Sequence, residues 1–184
     1  MGGRRTFNLL PPLGVGDGMK RILVLVDRTS TYVGKAVAFL ALLVAVVIAY
    51  EIVMRTVFSR PTTWASEGTV FACGLIYLLG GAWTLLEDKH VRIDMLYLKF
   101  SPRRQALLDC LTYVFFCLYI LVMLKATWVY MVESVQMRES TTSAWDPPIY
   151  PMKIAMAIAL ILLFLQGTAR MIRNLYFLIK GKAL

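Results

Sequence analysis

Four long apolar stretches dominate the chain, and short polar segments separate them. They cover residues 33–54, 64–86, 107–130 and 149–169. Each has about the 20 residues that a helix needs to cross a hydrocarbon layer of about 30 Å. Backbone groups find no water at that depth, so each stretch must satisfy its own hydrogen bonds as a helix. The pattern therefore predicts an all-α integral membrane protein with four transmembrane helices.

Two shorter segments have amphipathic character. In residues 19–28, five consecutive apolar residues lie between charged ones. This segment is too short to span a membrane but apolar enough to lie on its surface. Residues 90–100 place basic and apolar side chains on different sides of a helix. We predict short interfacial helices at both places. An ordinary loop or a short strand is the alternative for the second segment.

The composition agrees with a membrane protein. Of the 184 residues, 59% are hydrophobic and the mean hydropathy is +0.66, which exceeds what the core of a soluble domain needs. No internal repeat or separate soluble domain is evident. Residues 19–184 are expected to form one membrane domain after a disordered tail, residues 1–18. Met19 is a plausible start of translation besides Met1.

Lysine and arginine are distributed unequally between the two sides of the predicted bundle. Residues 1–32, the loop between the second and third spans and the C-terminal tail contain fourteen of them, against three in the other two loops. Cytoplasmic loops retain positive charge, so both termini are predicted to be cytoplasmic. This topology and the attraction of basic residues to phospholipid headgroups account for the net charge of +9. Nucleic acid is not an expected partner.

The middles of the predicted spans contain no charged residue. A charge there costs about 2.5 to 3.5 kcal/mol and usually marks an ion or substrate path. We therefore expect neither a proton relay nor a sodium site, and no substrate-binding residue, in this chain. The single histidine, His90, cannot form a bis-histidine haem site, and the three cysteines match no zinc spacing. We expect no enzyme activity, no metal and no cofactor.

Polar residues lie instead at the ends of the first two spans. Glu51 and Arg55 are four residues apart, which favours an ion pair on one helix face. Pairing of Arg55 or Arg60 with Glu67 would fasten the two spans, and unpaired headgroup contacts are the alternative. The charged run after the second span is either a solvated loop or a docking surface for a partner. The candidate inter-helix or subunit contacts are Glu51, Arg55, Arg60, Trp64, Glu67, His90, Arg92 and Asp94.

Small residues recur along one side of the first span at steps of three and four. Such residues let helix backbones approach closely in lipid. We predict a helix-packing seam formed by Gly34, Ala38, Ala41, Ala45 and Ala49.

The segment from Tyr50 to Leu96 resembles the core of the Q-type small membrane subunit of tripartite ATP-independent periplasmic (TRAP) transporters. The segment Ser143 to Lys153 is similar to that family's entry into the last span, and the resemblance covers about residues 20–180. The matching positions in the first segment are Glu51, Arg55, Phe58, Pro61, Trp64, Glu67, Gly80, Gly81, His90, Arg92, Ile93 and Asp94.

The resemblance implies a role that composition does not reveal. Family members lie in the bacterial inner membrane, bound to a large M-type transmembrane subunit that moves organic acids by a sodium-driven elevator. A periplasmic substrate-binding protein delivers the substrate, and the small subunit acts as a scaffold. Two alternatives remain: an autonomous four-helix transporter acting as a homodimer, and a membrane anchor subunit of a redox complex. Glu51 and Glu67 lie too near the outer edge to favour the first, and the single histidine weakens the second.

Overall fold

The computed structural model describes residues 17–87 and 100–180. These residues form four helices: α1 (Asp17–Thr56), α2 (Thr63–Leu86), α3 (Pro102–Met137) and α4 (Tyr150–Lys180). Each helix is long and apolar enough to cross a membrane. The prediction of an all-α protein with four spans is therefore confirmed. Following the predicted topology, we call the end with the turn 57–62 and the loop 138–149 the outer end, and the opposite end the inner end.

Helix α1 has 40 residues and is about 60 Å long, twice the thickness of the hydrocarbon layer. Residues 19–28 are part of it, so the prediction of a separate interfacial helix there is wrong. The reason is a continuous buried face, on which Leu23, Asp27 and Ser30 are followed by Gly34 and Val37 at helical spacing. The second predicted interfacial helix, residues 90–100, lies outside the described residues except for Phe100.

Helices α3 and α4 also extend beyond the predicted spans. Helix α3 begins at Pro102, where the missing N–H of proline costs no helical hydrogen bond. It ends at Met137, and the C-cap residue Arg138 adopts a left-handed conformation with φ 48° and closes the helix through its backbone N–H. Helical structure thus continues into sequence that is too polar to be recognised as a span.

Helix α4 is the most buried of the four helices and contacts each of the others. Its buried positions include Ala157, Ala159 and Ala169, each 3% exposed or less. Two glycines, Gly34 on α1 and Gly167 on α4, permit close approaches. A Cβ atom on Gly34 would collide with the ring of Trp83, and one on Gly167 would collide with Phe116. Small side chains therefore set the helix spacing, as is typical in membranes.

Candidate functional site

At the outer end, Glu51 fastens α1 to the start of α2. Its carboxylate accepts hydrogen bonds from Arg55 Nη2 at 3.1 Å, from the Thr62 backbone N–H at 3.2 Å and from the Thr62 hydroxyl. The Glu51 side chain is only 12% exposed, while that of Arg55 is 60% exposed. The predicted pair of Glu51 and Arg55 is present, and Thr62 adds the link between helices.

Glu67 fastens α2 to the loop between α3 and α4. Its Oε2 accepts the Ser143 hydroxyl at 2.7 Å, and the ring of Trp145 in the same loop lies over Gly68. Among the described residues, neither Arg55 nor Arg60 forms an ion pair with Glu67. Glu67 therefore bonds to Ser143 of the loop, and not to Arg55 or Arg60 as predicted.

The loop 138–149 is held in one shape by its own hydrogen bonds. Its base closes through Ile149 N–H to the Glu139 carbonyl at 2.9 Å, and through Lys153 Nζ to the Glu139 carboxylate at 2.5 Å. The Thr142 N–H donates to the Asp146 side chain at 3.0 Å. The bonded Lys153 ammonium lowers the pKa of Glu139 below its ordinary value of 4.5. The loop is therefore ordered by its own hydrogen bonds and by the ion pair between Glu139 and Lys153 of α4.

The remaining outer candidates, Arg60 and Trp64, are exposed. Trp64 is 44% exposed, with its ring tilted against Tyr50 at a centroid distance of 5.9 Å. An amphipathic aromatic pair at this position is typical of the membrane interface.

The three inner candidates, His90, Arg92 and Asp94, lie outside the described residues. Their role as contacts stays a prediction.

The inner end instead contains a buried polar cluster that the sequence analysis missed. Arg173 Nη2 on α4 lies 2.5 Å from Asp27 Oδ2 on α1, and both side chains are less than 15% exposed. Gln166 Nε2 donates to Asp27 Oδ1 at 3.1 Å, and the Ser30 hydroxyl donates to Gln166 Oε1 at 2.9 Å. This Asp27 cluster joins the first and last helices.

A sequence signal for the cluster existed. Asp27 and Ser30 are three residues apart, and Gln166 and Arg173 are seven apart, so each pair occupies one helix face. Polar residues that share a face near the end of an apolar helix need partners in lipid. The sequence alone does not say which helix supplies them.

The predicted small-residue seam divides into two parts. Gly34 is buried against α2, whereas Ala38, Ala41, Ala45 and Ala49 are exposed on the surface of the chain. These four alanines form a strip beside the buried face of α1. No other described helix packs against these four alanines closely enough to bury them.

Three carboxylates at the two ends share one chemical property. The carboxylates of Glu51, Glu67 and Asp27 each accept a hydrogen bond from a neighbouring element, which joins α1 to α2, α2 to the outer loop, and α1 to α4. This arrangement holds helices in register.

A model of the family described as "Tripartite ATP-independent periplasmic transporters, DctQ component" matches residues 44–176. The match runs from the middle of α1 into α4 and includes the outer contacts of Glu51 and Glu67. No curated protein and no solved structure matched the chain. Components of this family belong to transporters of the bacterial inner membrane and associate with a large membrane subunit and a substrate-binding protein; they are not enzymes. Since the match covers most of the chain, the protein belongs to the DctQ family, the small membrane components of TRAP transporters.

Proposed function

We propose that this chain is the scaffold of its transporter. It holds the large transmembrane subunit in the bilayer, and the large subunit moves the substrate. The observation that carries the proposal is that the buried charges of the described residues are joined to other helices or loops, as in the Asp27 cluster and the Glu51 contacts. Such bonds stabilise one arrangement of the helices, which is what a support needs.

The exposed alanines of α1 are the proposed contact with the large subunit. Ala38, Ala41, Ala45 and Ala49 allow another helix backbone to approach closely, and packing between close helices drives association in lipid. The ordered outer loop, with Trp145 44% exposed, is the proposed contact with the substrate-binding protein. The basic inner end binds phospholipid headgroups through its arginines.

Sodium coupling and organic acid substrates are proposed for the whole transporter on the strength of the family resemblance. Both would then reside in the large subunit and the binding protein. The chain described here contributes assembly and orientation.

Copurification tests the scaffold. Ala45→Leu places a large side chain on the strip of alanines, and overpacking of a close interface costs about 1 to 3 kcal/mol. We expect the yield of tagged large subunit recovered with the chain to fall about fivefold or more.

Ala36→Leu is the matched control. Ala36 is also exposed and lies nine residues away, on the opposite side of the helix. It should leave the yield unchanged. Equal yields for wild type and Ala45→Leu would mean that the strip faces lipid.

A further inference from the structure

Lys125 is an unpaired charge on the side of α3 that lies opposite the bundle. Its ammonium has no hydrogen bond or ion pair with any residue that the structure describes. Ile120 and Thr127 are buried where α3 packs against α4. Lys125 lies about 150° around the helix from both of them, and it is exposed. The described helices therefore leave this lysine uncovered.

The surface around Lys125 is apolar. Along α3 the lysine follows Leu111 and Leu118 and precedes Val132 at steps of seven residues, which places all four on one side. The three apolar residues are 57%, 64% and 37% exposed. Charged side chains in membrane helices almost always pair with another group, because lipid solvates an ammonium poorly. A single cation on an apolar face therefore indicates a partner outside this chain.

Lys125 lies deeper than the sequence pattern indicates. The predicted span 107–130 ends five residues beyond it, whereas α3 continues for twelve residues, or about 18 Å. Contacts with α4 give a second measure of depth. The hydroxyls of Tyr113 and Thr168 lie 2.8 Å apart, so twelve residues further along α3 the antiparallel α4 has reached Met156. That position is six residues, or about 9 Å, inside the outer end of α4.

The direction of the side chain also separates Lys125 from the headgroups. In a helix the Cα–Cβ bonds tilt toward the N-terminus, which is the inner end for both α1 and α3. Lys35 on α1 is exposed beside Gly34, which packs on Trp83 three residues before the inner end of α2. The stem of Lys35 therefore leans toward headgroups that are close. The stem of Lys125 leans from the outer half of α3 toward the bilayer centre, away from the nearest headgroups.

We propose that Lys125 forms an ion pair with an aspartate or glutamate on a membrane helix of the large subunit. The apolar face around Lys125 packs against the same helix. The proposal rests on the proposed scaffold function, and it adds α3 to the contact that the exposed alanines of α1 make with the large subunit.

Depth and charge favour the large subunit over other occupants of this face. The substrate-binding protein is periplasmic and does not enter the hydrocarbon layer. A second copy of the chain in the same orientation has its own Lys125 at this depth. Among the described residues, the exposed carboxylate nearest in depth is that of Glu133, eight residues and about 12 Å further out on α3. The large subunit is the family's other membrane component.

Copurification with the tagged large subunit tests the ion pair. Lys125→Met removes the charge and keeps much of the apolar stem. It should lower the yield about tenfold or more, because the carboxylate of the partner is left buried and unpaired. Lys125→Arg keeps the positive charge and should retain about half of the wild-type yield or more.

Lys35→Met is the matched control, because it makes the same change at an exposed lysine whose stem leans toward nearby headgroups. It should leave the yield unchanged. Neither lysine is bonded to a described residue, so each variant purified alone should unfold in detergent as wild type does. A loss of assembly is thereby distinguished from a loss of folding.

Acetylation by acetic anhydride provides a second readout that needs no variant. Mass spectrometry measures the modification of each lysine in the chain alone and in its complex with the large subunit. Lys125 should react about tenfold more slowly in the complex, because the partner helix excludes water and reagent from it. Lys35 should react equally in both states.

Each of four results would overturn the proposal. Equal yields for Lys125→Met and Lys35→Met, or equal acetylation of Lys125 in both states, would mean that its ammonium reaches the headgroups. An equal loss in Lys125→Arg and Lys125→Met would mean that shape and not charge determines the contact. Normal assembly with lost uptake in Lys125→Met would place the lysine on the transport path. Failure of the scaffold proposal is separate, because it appears as unchanged copurification in Ala45→Leu.

Discussion

The Asp27 cluster provides the most quantitative test of how this fold is held together. Arg173→Met removes the positive charge and keeps much of the apolar stem of the side chain. Asp27 would then stay buried, with a side chain only 8% exposed and with Gln166 as its one remaining donor in the cluster. Removing one partner of a buried ion pair costs about 3 to 5 kcal/mol, because the other charge is left uncompensated. We expect about 3 kcal/mol, since the Gln166 amide still donates to the carboxylate.

Removing the acidic partner should cost less. In Asp27→Leu the long side chain of Arg173, already 14% exposed, can extend toward the headgroups. The double variant Asp27→Leu with Arg173→Met should lie within about 1 kcal/mol of wild type, because apolar replacement of both partners is often neutral. Ser30→Ala removes a single hydrogen bond, and such bonds average about 0.6 kcal/mol in membrane helices.

Reversible unfolding in mixed detergent and dodecyl sulfate micelles measures these free energies, with helical circular dichroism as the signal. Arg28→Met is the control, because Arg28 is exposed next to the cluster and should change the free energy of unfolding by less than about 0.5 kcal/mol. A cost below about 1 kcal/mol for Arg173→Met would refute the reasoning. The reasoning would also be refuted if the double variant lost as much free energy of unfolding as the two single variants together.

Three further predictions concern the ends of the bundle. Glu67→Ala should reduce the recovery of assembled transporter more than it changes the dependence of uptake on sodium, and an altered sodium stoichiometry would contradict the supporting role. Because bonding to Lys153 lowers the pKa of Glu139, their interaction stabilises the fold above the ordinary value of 4.5 and is lost as the pH falls through the lowered one. Thermal unfolding between about pH 3 and pH 7 should show this acid-dependent step in wild type, and an identical step in Lys153→Met would assign it to other groups. Gly34→Ala should cost about 1 to 3 kcal/mol, because its methyl group meets the Trp83 ring, and Trp83→Leu should restore most of that loss in the same unfolding assay.

Hydrophobic patterning was sufficient to predict the four spans, because the burial of apolar residues in lipid depends on composition over about 20 residues. The start of α2 was predicted within one residue, at Trp64 against the observed Thr63. The start of α1, both ends of α3 and the end of α4 lie five or more residues beyond the predicted spans. Hydropathy reports the depth of the hydrocarbon layer, whereas a helix continues wherever its backbone bonds and side-chain packing remain favourable.

Contacts within one helix turn were also accessible from the sequence, as the pair of Glu51 and Arg55 shows. Contacts between distant segments were not. Glu67 and Ser143 are 76 residues apart, and Asp27 and Arg173 are 146 apart. Spacing along a helix identifies which side chains share a face, but the partner depends on how the helices pack. For the same reason, the spacing of the small residues identified the seam on α1 but not what packs against it. Among the five seam residues, only Gly34 is buried within the described part of the chain.

The central claim is that this chain supports transport by a partner and transports nothing alone. The most direct measurement is uptake of a labelled organic acid into liposomes under an inward sodium gradient. Liposomes with the chain, the large subunit and the substrate-binding protein should accumulate the acid, and liposomes with the chain alone should not. Sodium-driven accumulation by the chain alone would contradict the account.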